Sequence, residues 1–240
     1  MTATMSLHEQ EIVEQGYTII EGIVTDNEAE AVLAEYGRLI PQYNGELRYE
    51  VAADEEDYQK RALSKSINGV PWHVDAPSWN PPPARMALHC RAQARCGGGH
   101  TDLADMRMFF ATLSDEDRAV LYEKPVPWID RNTRTGIDRP IVEVLPSDRE
   151  IIRWRQSLLV GKANSRLLTS DRNKRPLGEF GLHLADLSDK FYAEHMMPIL
   201  TPENAILLWD NQRLIHQRRA YSDPRRRMTR YWMADLAAGD

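Results

Sequence analysis

Hydrophobic residues fall in many short runs along the chain, separated by turn-forming glycine, proline, asparagine and aspartate. Short runs that are rich in β-branched and apolar residues indicate strands. A further strand should carry His73 and Asp75, and the three prolines at 81–83 should end it, because proline offers no backbone donor. The other predicted strands are residues 16–22, 85–94, 101–105, 141–145, 151–160, 204–209 and 228–236.

Three segments carry the signals of helices. Residues 25–28 have the spacing of a capping box, and a helix with apolar positions at helical spacing should follow to about Leu39. Ser114 should cap a second helix, and residues 186–197 predict a third. Helices therefore make up the smaller part of the predicted structure.

This mixture of elements predicts a mainly β fold with flanking helices, a double-stranded β-helix of the jelly-roll, cupin-like type. Strict alternation of strands and helices is missing, and no Gly-x-Gly-x-x-Gly opens a helix, which disfavours a doubly wound parallel sheet. A chain of 240 residues with 42% hydrophobic content can bury one substantial core, so residues 1–240 are predicted to form a single domain. Residues 46–62 predict a loop or mobile flap, and residues 170–181 a loop over one mouth of the fold.

The composition argues against several classes of function. No apolar stretch is long enough for a membrane span, and the first ten residues lack the pattern of a signal peptide, so we expect a cytoplasmic protein without membrane contact. Two cysteines are too few for a disulfide framework, which fits a reducing compartment. A net charge of -6 disfavours nucleic-acid binding, although seven arginines between Arg213 and Arg230 would also suit a nucleic-acid patch.

Three residues form a candidate metal site. In an extended segment the side chains of His73 and Asp75 leave the same face, so both can bind one ion. His216 would have to arrive from a distant strand. Two imidazoles and one carboxylate are the facial set of Fe(II) oxygenases, which leaves three coordination positions for other ligands.

Three blocks of sequence give the chain a resemblance to a known family. They are Trp72-His-Val-Asp75 with its proline-rich turn, Gly98-Gly-His-Thr101, and Leu208-Trp-Asp-Asn211 followed by His216, Arg226 and Arg230. In this order they resemble the Fe(II)- and 2-oxoglutarate-dependent dioxygenases of the taurine dioxygenase and clavaminate synthase-like family. Together the blocks span residues 68–232, which is most of the chain.

The resemblance implies a role for each matching residue. His73, Asp75 and His216 would bind Fe(II), and Thr101 and Arg226 would hold the far carboxylate of the cosubstrate 2-oxoglutarate. Arg226 and Arg230 are four apart and share one face of an extended strand, which favours Arg226 for that carboxylate. The length of the loop after His216 leaves Arg227 and Arg230 as alternatives. Candidate substrate contacts are Arg230, Asn68 and Arg155.

The activity that the resemblance implies is hydroxylation of an unactivated C–H bond in a small polar molecule, an amino acid or a natural-product precursor. O2 is the second cosubstrate, and succinate and CO2 are released. Desaturation, epoxidation and cyclisation stay open, as do a carrier-tethered substrate and a homo-oligomer. The alternative function is a non-catalytic jelly-roll module that binds a metal or a ligand.

The remaining histidines and arginines are interpreted as structural or solvated. His8 should lie in a mobile terminal segment, and the polar residues Asp210 and Asn211 should hold the loop before His216 by hydrogen bonds to backbone. Trp72 and Trp209 are predicted core residues. Arg218, Arg219 and Arg225 are predicted to form a solvated face.

Overall fold

The computed structural model describes residues 5–53, 63–130, 135–146, 148–161 and 175–236. The predicted loops at 46–62 and 170–181 lie partly outside these ranges. In chain order the helices and strands are α1 (Leu7–Gln15), β1 (Tyr17–Glu21), α2 (Asp26–Leu33), β2 (Arg38–Ile40), β3 (Tyr49–Ala52), a 3₁₀ helix (Leu63–Lys65), β4 (Val70–His73), β5 (Arg85–Ala92), β6 (Thr101–Asp105), α3 (Met106–Phe110), α4 (Asp115–Glu123), β7 (Val126–Ile129), β8 (Gly136–Arg139), β9 (Val142–Val144), β10 (Glu150–Ile152), α5 (Gln156–Leu159), α6 (Gly178–His195), β11 (Met197–Ile199), β12 (Ala205–Asp210), β13 (Leu214–Arg218) and β14 (Arg227–Ala234).

Two antiparallel sheets dominate the described part of the chain. The larger has six strands in the order β1-β12-β5-β14-β2, with β3 also paired to β14. The smaller has four strands in the order β11-β6-β13-β4. Neighbouring strands in each sheet are far apart in sequence, so the sheets bring distant segments side by side. Two further pairs, β7 with β8 and β9 with β10, form short hairpins.

The hydrophobic core is layered. An inner cluster joins both sheets, with Met86, Trp209 and Trp232 from the larger sheet and Leu103 and Leu214 from the smaller. Helices α1 and α2 pack on the other face of the larger sheet, and helices α3, α5 and α6 pack on the other face of the smaller one. This arrangement confirms a mainly β fold of antiparallel sheets with flanking helices.

The helix caps read from the sequence are present. Thr25 accepts from the backbone N–H of Glu28 while the Glu28 carboxylate accepts from the backbone N–H of Thr25, which completes a capping box. Ser114 caps α4 in the same way, through the backbone N–H of Asp117. Among the described residues, no helix combines the length and the apolar character that crossing a membrane requires.

Several predicted boundaries were wrong. Helix α2 ends at Leu33 rather than near Leu39, because residues 38–40 pair with β14 as a strand. Residues 151–160 were predicted as one strand, but strand β10 ends at Ile152 and helix α5 begins at Gln156. The predicted helix at 186–197 begins earlier, at Gly178, and its last residue is His195.

The structure also differs from the sequence predictions at His8 and in the segment around His216. His8 lies in α1, and its Nδ1 is 2.8 Å from Thr18 Oγ1 on β1, so it is tied to the larger sheet. His216 lies on a strand distant in sequence, as expected, but this strand, β13, which pairs with β4 and β6, was not among those predicted.

Candidate functional site

The smaller sheet brings the three candidate ligands together. His216 on β13 is the direct register partner of His73 on β4, which places the two imidazoles next to each other across antiparallel strands. Strand β4 ends at His73, so Asp75 lies just beyond it rather than within it. His73, Asp75 and His216 each offer one ligand atom, and these atoms lie within 4.8 Å of one another. They are the one such group of three among the residues that the structure describes.

The distances within the group fit a metal ion. Asp75 Oδ1 lies 3.4 Å from Nε2 of His73 and 3.9 Å from Nε2 of His216, and the two imidazole centroids are 4.2 Å apart. The Nδ1–H of His73 donates to the carbonyl oxygen of Pro71 at 2.8 Å. That hydrogen bond leaves the lone pair of Nε2 free for coordination, the arrangement that metal-binding histidines show. Two neutral imidazoles and a carboxylate are donors that suit Fe(II).

Burial and neighbouring charges favour the protonation states that bind metal. Burial lowers the pKa of His216 well below its ordinary value, and His73 beside it acts in the same direction. Burial alone would raise the pKa of Asp75, but Arg230 and the hydrogen bond with His73 lower it below its usual range. Asp75 is therefore an anion and His216 a neutral ligand at neutral pH.

Asn211 fixes the backbone that carries Asp75. Its side-chain oxygen accepts from the backbone N–H of Asp75 at 2.9 Å, and its amide donates to the carbonyl oxygens of Asp75 and Pro83. Asn211 is fully buried. Asn211 thus bonds to backbone as predicted, but at Asp75 and the proline turn, whereas Asp210 holds the predicted loop by accepting from the backbone N–H of Gln212.

A cavity of about 200 Å³ opens beside the ligand group. Of the predicted site residues, it contains His73, Asp75, His216, Thr101, Arg226, Arg230 and Arg155. The other residues in its wall are Val51, Ser64, Val70, Pro71, Trp72, Met86, Leu88, Ser157, Gln217 and Arg218. Asn68 is not in the wall: it is exposed, and its backbone oxygen accepts from Arg218. The structure thus gives no support to Asn68 as a substrate contact.

Arg226 and Thr101 both face this cavity from the two sheets. Arg226 is fully buried directly before β14, and Thr101 is buried at the start of β6. The Nε and Nη1 atoms of Arg226 have no hydrogen-bond partner among the described residues, and burial lowers the pKa of its guanidinium. A buried cation with unbonded donors fits an anionic ligand. Arg227, in contrast, is exposed and pairs with Glu50 at 2.9 Å.

The glycines before Thr101 give Arg226 its space. Gly99 has a φ of +80°, and a Cβ placed on it would lie 2.9 Å from Nε and 3.0 Å from Cδ of Arg226. A Cβ on Gly98 would lie 2.5 Å from the backbone oxygen of Ala220. Only glycine satisfies both the backbone conformation and the close approach at residue 99. The Gly-Gly pair therefore packs one loop of the site against the arginine of another.

Arg230 and Arg155 take different places in the cavity. Arg230 Nη1 lies 3.0 Å from Asp75 Oδ2, and its Nε donates to Gln42 at 2.8 Å, so its donors are engaged within the protein. Arg155 donates to the carbonyl oxygen of Ile129 at 2.9 Å, and its backbone forms a bridge to His73. Arg155 is thus held next to a candidate metal ligand.

The prediction that Arg218 belongs to a solvated face was wrong. Arg218 is buried in the cavity wall, and it donates to the backbone oxygens of Ser66 and Asn68 at 2.7 and 2.6 Å. Burial lowers its pKa to about 10. Arg218 pairs with Thr101 on β6, just as His216, two residues earlier on β13, pairs with Leu103. The spacing of two from His216 could have shown this, since residues i and i+2 of a strand share a face.

Two tryptophans near the ligands were predicted as core residues, and both are buried. Trp209 packs edge-on against the imidazole of His216, with centroids 5.0 Å apart. A third tryptophan was missed: Trp232 on β14 donates from its indole N–H to Asp75 Oδ2 at 2.7 Å. No local pattern marks it, because the contact joins positions that are far apart in sequence.

Comparisons with known proteins give a family match over most of the chain. The family model described as "Taurine catabolism dioxygenase TauD, TfdA family" matches residues 4–232. No curated protein matches the chain.

Three solved structures share the fold. Asparagine oxygenase in complex with Fe(II), 2S,3S-3-hydroxyasparagine and succinate has a TM-score of 0.72 at 13% identity, over 95% of this chain and 78% of that chain. The non-heme iron oxygenase OrfP, in complex with Fe, succinate and (3S)-hydroxy-L-Arg, has a TM-score of 0.67 at 15% identity, over 96% and 78%. PvcB from Pseudomonas aeruginosa has a TM-score of 0.65 at 14% identity, over 95% and 78%.

Proposed function

The chain belongs to the taurine catabolism dioxygenase TauD, TfdA family, and from this premise we propose that it is an Fe(II)- and 2-oxoglutarate-dependent oxygenase. It hydroxylates an unactivated C–H bond of a small polar molecule and releases succinate and CO2. The observation that carries the proposal is one cavity that contains both the His73, Asp75 and His216 group and the buried, incompletely bonded Arg226. A module that only binds metal would have no use for the second feature.

In this proposal His73 and His216 would hold Fe(II) through their Nε2 atoms and Asp75 through one carboxylate oxygen. A set of three protein ligands would leave coordination positions for 2-oxoglutarate and O2. The iron and its cosubstrates supply the oxidising chemistry when they are bound. The protein holds the ligand geometry and excludes water from a largely buried site.

Arg226 and Thr101 bind the far carboxylate of 2-oxoglutarate. The guanidinium offers parallel N–H donors that match a carboxylate, and the threonine hydroxyl adds a further hydrogen bond. The exposed, paired state of Arg227 and the contact of Arg230 with Asp75 support Arg226 over both alternatives.

The substrate is a small molecule of the amino-acid class. The cavity is small, at about 200 Å³, and part of it must accommodate 2-oxoglutarate. Arg155, Ser64 and Ser157 lie in its wall, so the wall has a polar character that suits a small polar molecule. The hydroxylated amino acids in the similar structures of asparagine oxygenase and OrfP support this class.

The fold completes the proposal. The two stacked antiparallel sheets, with their ligands on the inner face of the smaller one, form the double-stranded β-helix of this family. Residues 1–240 form one oxygenase domain, because the layered core is shared by helices and strands from both ends of the described chain.

The test is a turnover assay with Fe(II), 2-oxoglutarate and O2 and a panel of free amino acids, in which succinate is the product measured. We expect at least one amino acid to raise succinate formation well above the substrate-free rate, together with a product heavier by one oxygen in mass spectrometry. Asp75→Ala is the matched control and should abolish both. Succinate formation that is absent from the wild-type protein, with and without amino acids, would contradict the oxygenase proposal.

A further inference from the structure

The two carboxylate oxygens of Asp75 have different surroundings. Oδ1 points to the imidazoles, 3.4 Å from Nε2 of His73 and 3.9 Å from Nε2 of His216. Oδ2 accepts a hydrogen bond from the indole N–H of Trp232 at 2.7 Å and forms an ion pair with Nη1 of Arg230 at 3.0 Å. One oxygen is thus available to a metal, and the other is bonded within the protein.

We propose that Trp232 is a positioning residue: its indole N–H holds Asp75 Oδ2, so that Asp75 binds the metal through Oδ1 alone. The ion pair of Arg230 with the same oxygen acts in the same direction. The inference rests on the proposed function, because it concerns the metal site of the proposed oxygenase. It extends that function to a residue that does not touch the metal.

Trp232 is well held for this role. It is fully buried on β14, between β5 and β2 of the larger sheet. Its ring packs edge-on against Tyr43, with centroids 4.7 Å apart, and against Trp79, with centroids 5.1 Å apart. An indole that is fixed by two perpendicular rings keeps its N–H pointed in one direction. Residues that orient metal ligands act best when their own rotamers are locked in this way.

Arg230 is equally constrained, which changes the interpretation of its role. It lies two residues before Trp232, so both side chains leave the same face of β14. Gln42 accepts from its Nε at 2.8 Å, and its guanidinium lies over the rings of Tyr49 and Trp232. These contacts commit Arg230 to Asp75 rather than to substrate. Of the two arginines, Arg226 then binds 2-oxoglutarate, while β14 holds Asp75 through the hydrogen bond of Trp232 and the ion pair of Arg230.

A second tryptophan beside the metal site, Trp209, provides a matched control. Trp209 is also fully buried and packs against His216, another candidate ligand, with ring centroids 5.0 Å apart. Its Nε1, however, has no hydrogen-bond partner among the described residues. Trp232→Phe and Trp209→Phe therefore remove the same atoms beside the metal site, but only the first removes a hydrogen bond to a ligand.

The experiment is a titration of the metal-free wild type and the two variants with Co(II), monitored by visible absorption, with thermal unfolding of each metal-free protein. Loss of a residue that orients a ligand typically weakens metal binding by roughly 10- to 100-fold. We expect Trp232→Phe to raise the dissociation constant for Co(II) by roughly tenfold or more and to alter the absorption spectrum. Trp209→Phe should change the dissociation constant less than threefold, although it should lower the unfolding temperature about as much as Trp232→Phe does.

The outcomes are distinguishable. If both variants bind Co(II) as tightly as the wild type, or if the two substitutions weaken Co(II) binding equally, the role of Trp232 is overturned while the oxygenase proposal stands. If the wild type itself binds no Co(II), both are overturned.

A second measurement applies even if Trp232→Phe does not fold. With the indole nitrogens of the wild type labelled with ¹⁵N, the signals of Trp72 and Trp209 can be assigned from their loss in single Phe variants. One further indole signal should shift when Zn(II) is added, because the metal draws charge from the carboxylate that Trp232 bonds. If no other indole signal shifts, Trp232 does not hold Asp75.

Discussion

At the scale of single residues, Arg226 decides the chemistry of the cavity. It is a fully buried cation, and two of its donor atoms have no hydrogen-bond partner in the described structure. Leaving such donors unbonded is costly, so the site is complementary to an anion before any anion is bound. The neighbouring Arg227 is exposed and already paired with Glu50.

Arg226→Gln should weaken binding of 2-oxoglutarate strongly, because two charge-assisted hydrogen bonds are lost. At about 2–3 kcal/mol, the dissociation constant rises roughly 30- to 150-fold. Arg227→Gln is the control and should change it less than twofold. Isothermal titration of the metal-loaded protein under anaerobic conditions measures both. Equal effects of the two substitutions would refute the assignment of Arg226.

The close approach of Gly99 to the side chain of Arg226 leads to a second prediction at the scale of residues. A methyl group there would lie within about 3 Å of the Arg226 side chain, at a backbone φ of +80°. Gly97 has a similar φ of +75°, but a Cβ on it would meet nothing within 4 Å. Both positions therefore carry backbone strain, of roughly 1 kcal/mol when alanine replaces glycine, and only one carries the contact.

Gly99→Ala should raise the dissociation constant for 2-oxoglutarate by roughly tenfold, about 1.4 kcal/mol, because Arg226 is displaced. Gly97→Ala should lower thermal stability about as much as Gly99→Ala does, but should leave the dissociation constant for 2-oxoglutarate unchanged. The same titration and a thermal melt measure the two effects. If Gly97→Ala weakens the binding of 2-oxoglutarate as much as Gly99→Ala does, the weaker binding is caused by backbone strain and not by the contact with Arg226.

The residue scale also shows what a sequence can and cannot reveal. His73, Asp75, His216, Thr101 and Arg226 were all chosen from sequence and share one cavity, since their order and spacing are visible in the chain. The hydrogen bond of Trp232 to Asp75 Oδ2 was not, because side-chain pairing across 157 positions leaves no local pattern. Arg218 was misplaced for a related reason, since charge alone suggests exposure and only register shows burial.

At the scale of elements, helix α2 is tied to the larger sheet through Asp26. This residue pairs with His89 at 2.9 Å on β5 and with Arg91 at 2.6 Å. Burial alone would raise the pKa of Asp26. The hydrogen bonds from His89 and Thr229 and the charge of Arg91 together have a larger, opposite effect, so the pKa lies below its ordinary value. A carboxyl group whose pKa is lowered on folding stabilises the protein above its ordinary pKa, and this contribution is lost as the pH falls through the folded value.

Asp26→Asn should therefore destabilise the protein at pH 7 by about 1–2 kcal/mol, because charge-assisted hydrogen bonds are lost. The difference from wild type should shrink as the pH falls below the ordinary carboxyl pKa of about 4, where the unfolded chain takes up a proton, and should be lost below the lowered pKa of the folded state. Urea unfolding at several pH values measures it. A difference that is constant from pH 7 to pH 3 would show that the charge of Asp26 plays no part.

The turn at Cys96 supports the loop that leads to Arg226. The backbone N–H of Ser222 donates to Cys96 Sγ at 3.4 Å, and the backbone N–H of Arg95 donates to Asp223 at 2.9 Å. Hydrogen bonds from Ser222 and Gly98 lower the pKa of the Cys96 thiol to about 7. Burial instead raises the pKa of Cys90 to about 11.

Alkylation by iodoacetamide should thus modify Cys96 first, with a rate that is half-maximal near pH 7, whereas an ordinary thiol requires about pH 8.5. Mass spectrometry of the native protein at a series of pH values gives this profile, and Cys96→Ser is the control. A half-maximal rate near pH 8.5 would show that the turn does not stabilise the thiolate.

Elements were predicted well where local chemistry decides them. The capping box of α2, the cap of α4 and strand β6 were read correctly, because side chains there act on nearby backbone. The end of α2 was not, since residues 38–40 are helix-compatible in sequence but are recruited to β14. Such competition between local preference and tertiary pairing is settled only by the complete sheet.

At the scale of the whole molecule, the layered sheets explain how ligands from distant segments meet. The smaller sheet sets His73 beside His216, while β14 of the larger sheet contributes Arg230 and Trp232 to Asp75. The metal site therefore depends on the packing of one sheet on the other. This architecture was predicted as mainly β with flanking helices, because short strands and sparse helices can be counted in the sequence, but the order of strands could not be.

The central claim is that one cavity binds Fe(II) and 2-oxoglutarate together, and the most direct test is anaerobic absorption spectroscopy. Addition of 2-oxoglutarate to the protein with Fe(II) should produce the visible charge-transfer band of an iron-bound keto acid. The band should be absent in Asp75→Ala and should require far more 2-oxoglutarate in Arg226→Gln. A wild-type protein that binds Fe(II) but shows no band at saturating 2-oxoglutarate would contradict the account.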